Sequence, residues 1–344
     1  MPLGNSRTVG RGDLKVRYGP YHHRMILANR PLQPIKIAVI GAGHVGATTA
    51  YSLLLSGLAA ELVLVDIDRK KAEGEVMDLN HAAPFSHQTR ITLGTYSHCA
   101  GADVVVLTAG RNQKPGETRL DLIKTNAAII KSSVPEIVKS APETILLVAA
   151  NPVDVLTYVA WKESGFPRSR VIGSGTLLDT ARLRYAIGQR LSIDPVNIHA
   201  DIIGEHGDTE LPVWSHSNIC GLKLADYCQQ TGADCDLSKL KQETFNETKS
   251  AAYNIIKLKG VTDYGIASGL VEIVETILRN ENTLLTVSTV DTYAGVPNVA
   301  LSVPVKVNRL GAHPIMHLQL TDEEQSELVR SAKTLRSSIE SVGL

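Results

Sequence analysis

From Ile35 onward, short continuous apolar runs alternate with longer stretches in which apolar residues recur every three or four positions. Lys36–Ile40 (KIAVI) and Glu61–Val65 (ELVLV) read as strands buried on both faces, because their apolar residues are continuous rather than alternating. Residues 45–55 between them read as a helix. The strand signal returns at 104–108 and 144–148, with a helical stretch over 120–139 separating the two. Strand–helix alternation of this form predicts a parallel, doubly wound sheet. Beyond Asn151-Pro152 the pattern is mixed. Helices are expected at about 177–189 and 245–257, an apolar run at 198–203, strand-like segments at 284–290 and 299–307, and a charged helix from Thr321. The expected fold class is therefore α/β: a doubly wound parallel sheet over residues 35–173, followed by an α+β domain over 174–344.

The 344-residue length fits two domains, and 43% hydrophobic with 20% charged residues is the balance of a folded globular chain rather than a disordered one. Lys and Arg number 35, as do Asp and Glu, so net charge gives no reason to expect nucleic acid as a partner. That zero is a cancellation. Residues 1–34 hold Arg7, Arg11, Lys15, Arg17, Arg24 and Arg30 against Asp13 alone, which leaves 29 basic against 34 acidic residues in 35–344. The basic stretch has no apolar core before a small-residue cleavage site, and only one Ser and no amphipathic period. Neither a secretory signal nor an organellar transit peptide is expected, but a disordered tail, with Met25 as an internal start. The longest apolar candidate, 50–65, is broken by Ser56, Gly57 and Glu61 and falls short of the ~18 residues of a membrane span. Cys99, Cys220, Cys228 and Cys235 form no CxxC pair, so free thiols in a reducing cytoplasm are expected. A Cys228–Cys235 bridge is the alternative in a secreted protein. His81, His87 and His98 do not stand at metal-ligand spacing with cysteine, and no metal is expected.

Gly41-Ala42-Gly43-His44-Val45-Gly46 lies between the first strand and the first helix. Gly41 permits a tight turn, Gly43 lets backbone approach a pyrophosphate, Gly46 lets helix and strand pack closely, and the helix N-terminus attracts the phosphate. Asp66 follows 20 residues after Gly46, at the end of the second strand. A carboxylate there binds both ribose hydroxyls and repels a 2′-phosphate, which favours NAD over NADP. Without Asp66, a glycine turn with no ligand would serve equally well.

Gly204-Glu205-His206-Gly207-Asp208 ends an apolar run, which puts His206 at a strand end or loop. Asp179 and Arg182 are three residues apart in a predicted helix and can share one pocket. A carboxylate fixes the tautomer of a general acid–base histidine, and a guanidinium fork matches a substrate carboxylate. Each has a bland alternative, a structural histidine and a surface ion pair; the combination beside a dinucleotide loop favours chemistry. Asn112 to Arg119 form a polar loop after the strand at 104–108, either a cover over substrate or an exposed loop without a role. Asn151 presents an amide at the same sheet edge.

These segments, GAGHVG, EVMDLNHA, AGRNQKPGETRLDL, AANPVDVLTY, GSGTLLDTARLR, IIGEHGDTELPVWS and KGVTDYGIA, resemble the lactate/malate dehydrogenase family over nearly the whole chain from Ile35, and most of all its bacterial lactate-specific members. The resemblance implies a Rossmann-like N-terminal domain, NAD as cofactor, and reversible conversion of (S)-lactate to pyruvate, the last step of fermentation. By resemblance His206 is the acid/base, Asp179 its partner, Arg182 the carboxylate ligand, Arg119 the group that polarises the C2 oxygen, and Asn151 its hydrogen-bond donor. Asp154 joins them as a substrate contact. Gln113, where malate enzymes carry Arg, and Thr262 imply a preference for pyruvate; Arg111 complicates this, because the family usually has a small residue there. Val45, Lys71, Tyr96, Gly110, Arg111, Ser132, Ala149, Asn151 and Ser174 occupy cofactor-contact positions, beside Gly41, Gly43, Gly46 and Asp66. Arg184 and His199 match a fructose 1,6-bisphosphate site, which implies an allosteric homotetramer.

Overall fold

The computed structural model describes residues 34–111, 116–230, 235–314 and 318–343. The basic stretch 1–33 and the loop residue Gln113 lie outside the described residues. Strands β1 (Lys36–Ile40), β2 (Glu61–Val65), β3 (Arg90–Leu93), β4 (Val104–Leu107), β5 (Ile145–Val148) and β6 (Val171–Gly173) alternate with helices α1 (His44–Ser56), α2 (Arg69–Ala82), α3 (Arg119–Ser140) and α4 (Val153–Ser164). Helix α5 (Leu177–Leu191) leads into five two-residue strands: β7 (Ile198–His199), β8 (Ile202–Ile203), β9 (Leu211–Pro212), β10 (Asn218–Ile219) and β11 (Leu222–Lys223). Helices α6 (Leu224–Gln230), α7 (Leu237–Lys259) and α8 (Tyr264–Arg279) precede a long hairpin, β12 (Thr283–Tyr293) and β13 (Val296–Asn308). Strand β14 (Gly311–His313) and helix α9 (Asp322–Glu340) close the chain.

Nine strands form one sheet in the order β14-β13-β12-β6-β5-β4-β1-β2-β3. Strands β1 to β6 are parallel, with Ile37 opposite Leu62 on one side and Val104 on the other. Ile37, Ala38 and Val39 are fully buried, as continuous apolar strands between two helical layers require. The chain runs outward from β1 through β2 to β3, then returns to β4 on the other side of β1. That reversal opens a crevice at the C-terminal ends of β1 and β4, the place where open α/β sheets hold ligands. Strand β12 pairs antiparallel with β6 through Ser288 and Gly173, so the sheet continues past residue 173, and Pro34–Leu344 packs as one unit.

The apolar run at 198–203 is divided between β7 and β8, with Ala200 and Asp201 between them and the two strands in different small sheets. Cys228 and Cys235 are disulfide-bonded, against the expectation of free thiols. Cys228 in α6 and Cys235 just before α7 have their Cα atoms 5.4 Å apart, within bridging range. Cys99 is free and buried, its thiol pushed up to about 11 by burial, a packing role as expected. No helix among the described residues is long and apolar enough to cross a membrane.

Candidate active site

The glycine loop lies in the crevice. Gly41 has φ of +107°, and a Cβ there would meet the backbone N of Ala109, beyond β4, at 2.6 Å. At Gly46 a Cβ would meet the Gly41 carbonyl at 1.8 Å, so any side chain would drive α1 away from β1. Gly43 caps α1 without a side-chain acceptor and with open space around its Cα, which leaves the first N–H groups of the helix for an anion. Asp66 accepts from Ala42 N at 2.5 Å and from Asp68 N at 2.8 Å, so the loop itself orients this carboxylate. These residues fit a dinucleotide. Tyr96, Gly110, Arg111, Ala149, Asn151 and Ser174 follow the C-terminal ends of β3, β4, β5 and β6, along the same sheet edge. Val45 is in the first turn of α1, whereas Lys71 and Ser132 are carried on α2 and α3 rather than on strand ends.

His206 follows β8, and its loop is anchored residue by residue. Gly204 exchanges two backbone hydrogen bonds with Ser302 of β13, Glu205 N donates to Ser331 Oγ of α9 at 2.8 Å, and His206 N donates to Asp154 Oδ2 of α4 at 2.8 Å. Asp154 also accepts from Ser288 Oγ at 2.6 Å and is 1% exposed. Burial pushes its carboxyl up to about 6. With both oxygens engaged by protein, Asp154 holds the His206 backbone.

Asp179, in the first turn of α5, is buried and lies 2.5 Å from His206 Nδ1 through Oδ2, while Oδ1 accepts from Arg182 Nη1 at 2.9 Å. The negative charge of Asp179 pushes His206 up to about 9, against the opposing effect of burial. Burial alone would raise Asp179; the charges and hydrogen bonds of His206 and Arg182 outweigh it and hold the carboxylate below its ordinary range. Nδ1 is thereby fixed on Asp179, leaving Nε2 to exchange a proton.

Thr118 and Asp121 form a reciprocal capping box, which makes Arg119 the first residue of α3. Its guanidinium pairs with Glu205 and, at 2.7 Å, with Asp208, the residues on either side of the His206-Gly207 pair. Arg119 is therefore tied to the histidine loop. Arg111 pairs with both oxygens of Glu117 and donates to Thr125 Oγ1 at 3.0 Å. Thr262 stands between α7 and α8. A Cβ on Gly265, three residues later, would meet Leu178 Cδ1 at 2.9 Å, so this turn abuts the start of α5.

Residues 35–173 match the family model described as lactate/malate dehydrogenase, NAD binding domain, and 176–343 match its alpha/beta C-terminal domain. The chain belongs to the lactate/malate dehydrogenase family. It is accordingly an NAD-dependent oxidoreductase with a Rossmann-like cofactor domain. A probable L-lactate dehydrogenase of Schizosaccharomyces pombe is 56% identical over 310 residues, 90% of this chain and 94% of the relative. The L-lactate dehydrogenase of Acetivibrio thermocellus is 49% identical over 310 residues, covering 90% and 98%. A lactate dehydrogenase from a Medee basin deep-sea metagenome library superposes with a TM-score of 0.87 at 45% identity, over 91% of this chain and all of that one. The ligand-bound minor L-lactate dehydrogenase of Enterococcus mundtii gives 0.86 at 40% identity, over 90% and 98%.

Four site residues escaped the sequence reading. Glu205 and Asp208 hold Arg119. Asn126, 1% exposed on α3, accepts from Arg111 N and donates to Arg111 O and Asn151 O, which joins the ends of β4 and β5. Glu210 is buried beside the His206–Asp179 pair. Glu205, Asp208 and Glu210 belong to the segment that carries His206. A lone Asn in an amphipathic helix carries no such signal.

Proposed function

We propose that the protein is an L-lactate dehydrogenase that interconverts (S)-lactate and pyruvate with His206 as acid/base. The observation that carries this reading is the Arg182–Asp179–His206 chain, which sets a guanidinium and a protonatable imidazole on one buried carboxylate. In this reading residues 35–173 bind NAD and 174–344 supply most of the substrate site. When bound, NAD supplies hydride chemistry at its nicotinamide ring. Gly41, Gly43 and Gly46 hold its pyrophosphate and Asp66 its ribose, with Val45, Lys71, Tyr96, Gly110, Arg111, Ser132, Ala149, Asn151 and Ser174 as further contacts. Arg182 fixes the substrate carboxylate, and His206 Nε2 takes the hydroxyl proton of lactate or returns it to the oxygen of pyruvate. Asp179 stabilises the imidazolium, and Asp154 positions His206 through its backbone. Arg119 leaves Glu205 and Asp208 to polarise the C2 oxygen, beside Asn151.

Preference for pyruvate rests on Gln113 and Thr262, neither of which can neutralise a second carboxylate. Arg111 does not oppose this. Its guanidinium is already engaged by Glu117 and Thr125, so the cation two residues from Gln113 has an acid of its own. NADH oxidation by the purified protein should be much faster with pyruvate than with oxaloacetate; faster turnover of oxaloacetate would overturn the assignment.

Arg184 donates to Ala200 O at 3.0 Å and to Asp201 at 2.7 Å, next to exposed His199. A guanidinium and an exposed imidazole at one corner of the substrate half support a fructose 1,6-bisphosphate site between subunits of a homotetramer. Exposed Tyr51 and Leu55 on α1, and Tyr253, Ile256 and Leu258 on α7, are apolar surface that assembly would cover. The bisphosphate should lower the half-saturating pyruvate concentration; superimposable curves with and without it would remove the effector site. We assign the enzyme to the cytoplasm, at the end of lactate fermentation.

A further inference from the structure

Glu210 is a carboxylate for which the mechanism above has no use. It lies between His206 and β9, is 7% exposed, and among the described residues no hydrogen-bond donor reaches its side chain. One of its oxygens, an oxygen of Asp179 and a ring nitrogen of His206 all lie within 4.8 Å of one another. Asp154, Glu205 and Thr209, which surround the same loop, are all hydrogen-bonded. Glu210 is buried beside the reacting pair and, among the described residues, accepts no hydrogen bond.

We propose that Glu210 must carry a proton for the carboxylate substrate to bind, and so sets the alkaline limit of binding. This rests on the lactate dehydrogenase reading. The groups that face Glu210 are Asp179 and Arg182 from α5, His206 from its own loop and Lys249 from α7. With His206 neutral, as lactate requires, Arg182 and Lys249 balance Asp179 and one incoming carboxylate. An ionised Glu210 is then a third negative charge, set against the substrate. Burial and the charge of Asp179 push this carboxyl up, to about 8, and the cations pull it the other way.

Lactate oxidation separates the two titrations. Lactate needs His206 neutral, so His206 makes kcat/KM rise with pH; ionisation of Glu210 weakens carboxylate binding and makes it fall. At saturating NAD, kcat/KM for lactate between pH 6 and 10 should be bell-shaped in the wild type, with the alkaline fall approaching tenfold per pH unit and carried by KM. In Glu210→Gln, which cannot ionise, the profile should rise to a plateau. In Glu210→Asp the alkaline fall should return, since a carboxyl is restored. An alkaline fall of the same size in Glu210→Gln would overturn the proposal while leaving the dehydrogenase reading intact. Absence of lactate oxidation by the wild type would overturn both.

Discussion

Replacement of His206 by Asn will lower kcat in both directions by about 10²–10⁴-fold, the usual scale for loss of a positioned general acid–base. Asn retains the backbone hydrogen bond from residue 206 to Asp154, so the loop should stay in place. NADH binding, followed by nucleotide fluorescence, should be unchanged, because the glycine loop and Asp66 lie on β1 and β2, whereas His206 follows β8. The wild-type enzyme also has a defined pH sign. In the proposed mechanism pyruvate reduction needs protonated His206, so the His206 contribution to kcat/KM is present below the raised value of about 9 and lost above it. Lactate oxidation needs the neutral ring, so that contribution grows as pH rises through the same value. Turnover within tenfold of wild type in the Asn variant would assign the proton to another group.

Arg182→Lys should cost about 2–5 kcal/mol in kcat/KM for pyruvate, a loss of thirty- to several-thousand-fold, expressed mainly in KM. Arg182 uses Nη1 on Asp179 and keeps further nitrogens for a bidentate carboxylate contact; lysine has one ammonium for both tasks. The side chain is only 14% exposed, so water gives little compensation. A KM within threefold of wild type would place the substrate carboxylate elsewhere.

The residues that carry these two effects were readable because they sit in short motifs whose chemistry demands particular side chains. The elements that were readable are those whose burial is one-sided or continuous. Strands β1 and β2 show as unbroken apolar runs, and α5 shows as a helix because its buried positions repeat at helical spacing. Helix α4 is hidden for the opposite reason. Residues Val153 to Ala160 are all buried, so no polar face marks the period. Helix α2 buries only Ala72, Val76 and Leu79, and β6 has three residues, too few for a pattern. The role of Asp154 was hidden with α4, since its partners His206 and Ser288 are 52 and 134 residues away. The Arg119–Glu205 contact spans 86 residues for the same reason. Glu210 lies within a recognised motif, but only the fold shows that it is buried without a donor.

The most direct test of the central claim is isotopic. Purified enzyme is given (S)-lactate deuterated at C2 with NAD in ordinary water, and the reduced nucleotide is weighed by mass spectrometry. Hydride transfer from C2, with the hydroxyl proton passing to His206, predicts one deuterium in each nucleotide formed and none released to solvent. Reduced nucleotide without deuterium, or no reduction with (S)-lactate at all, would contradict it.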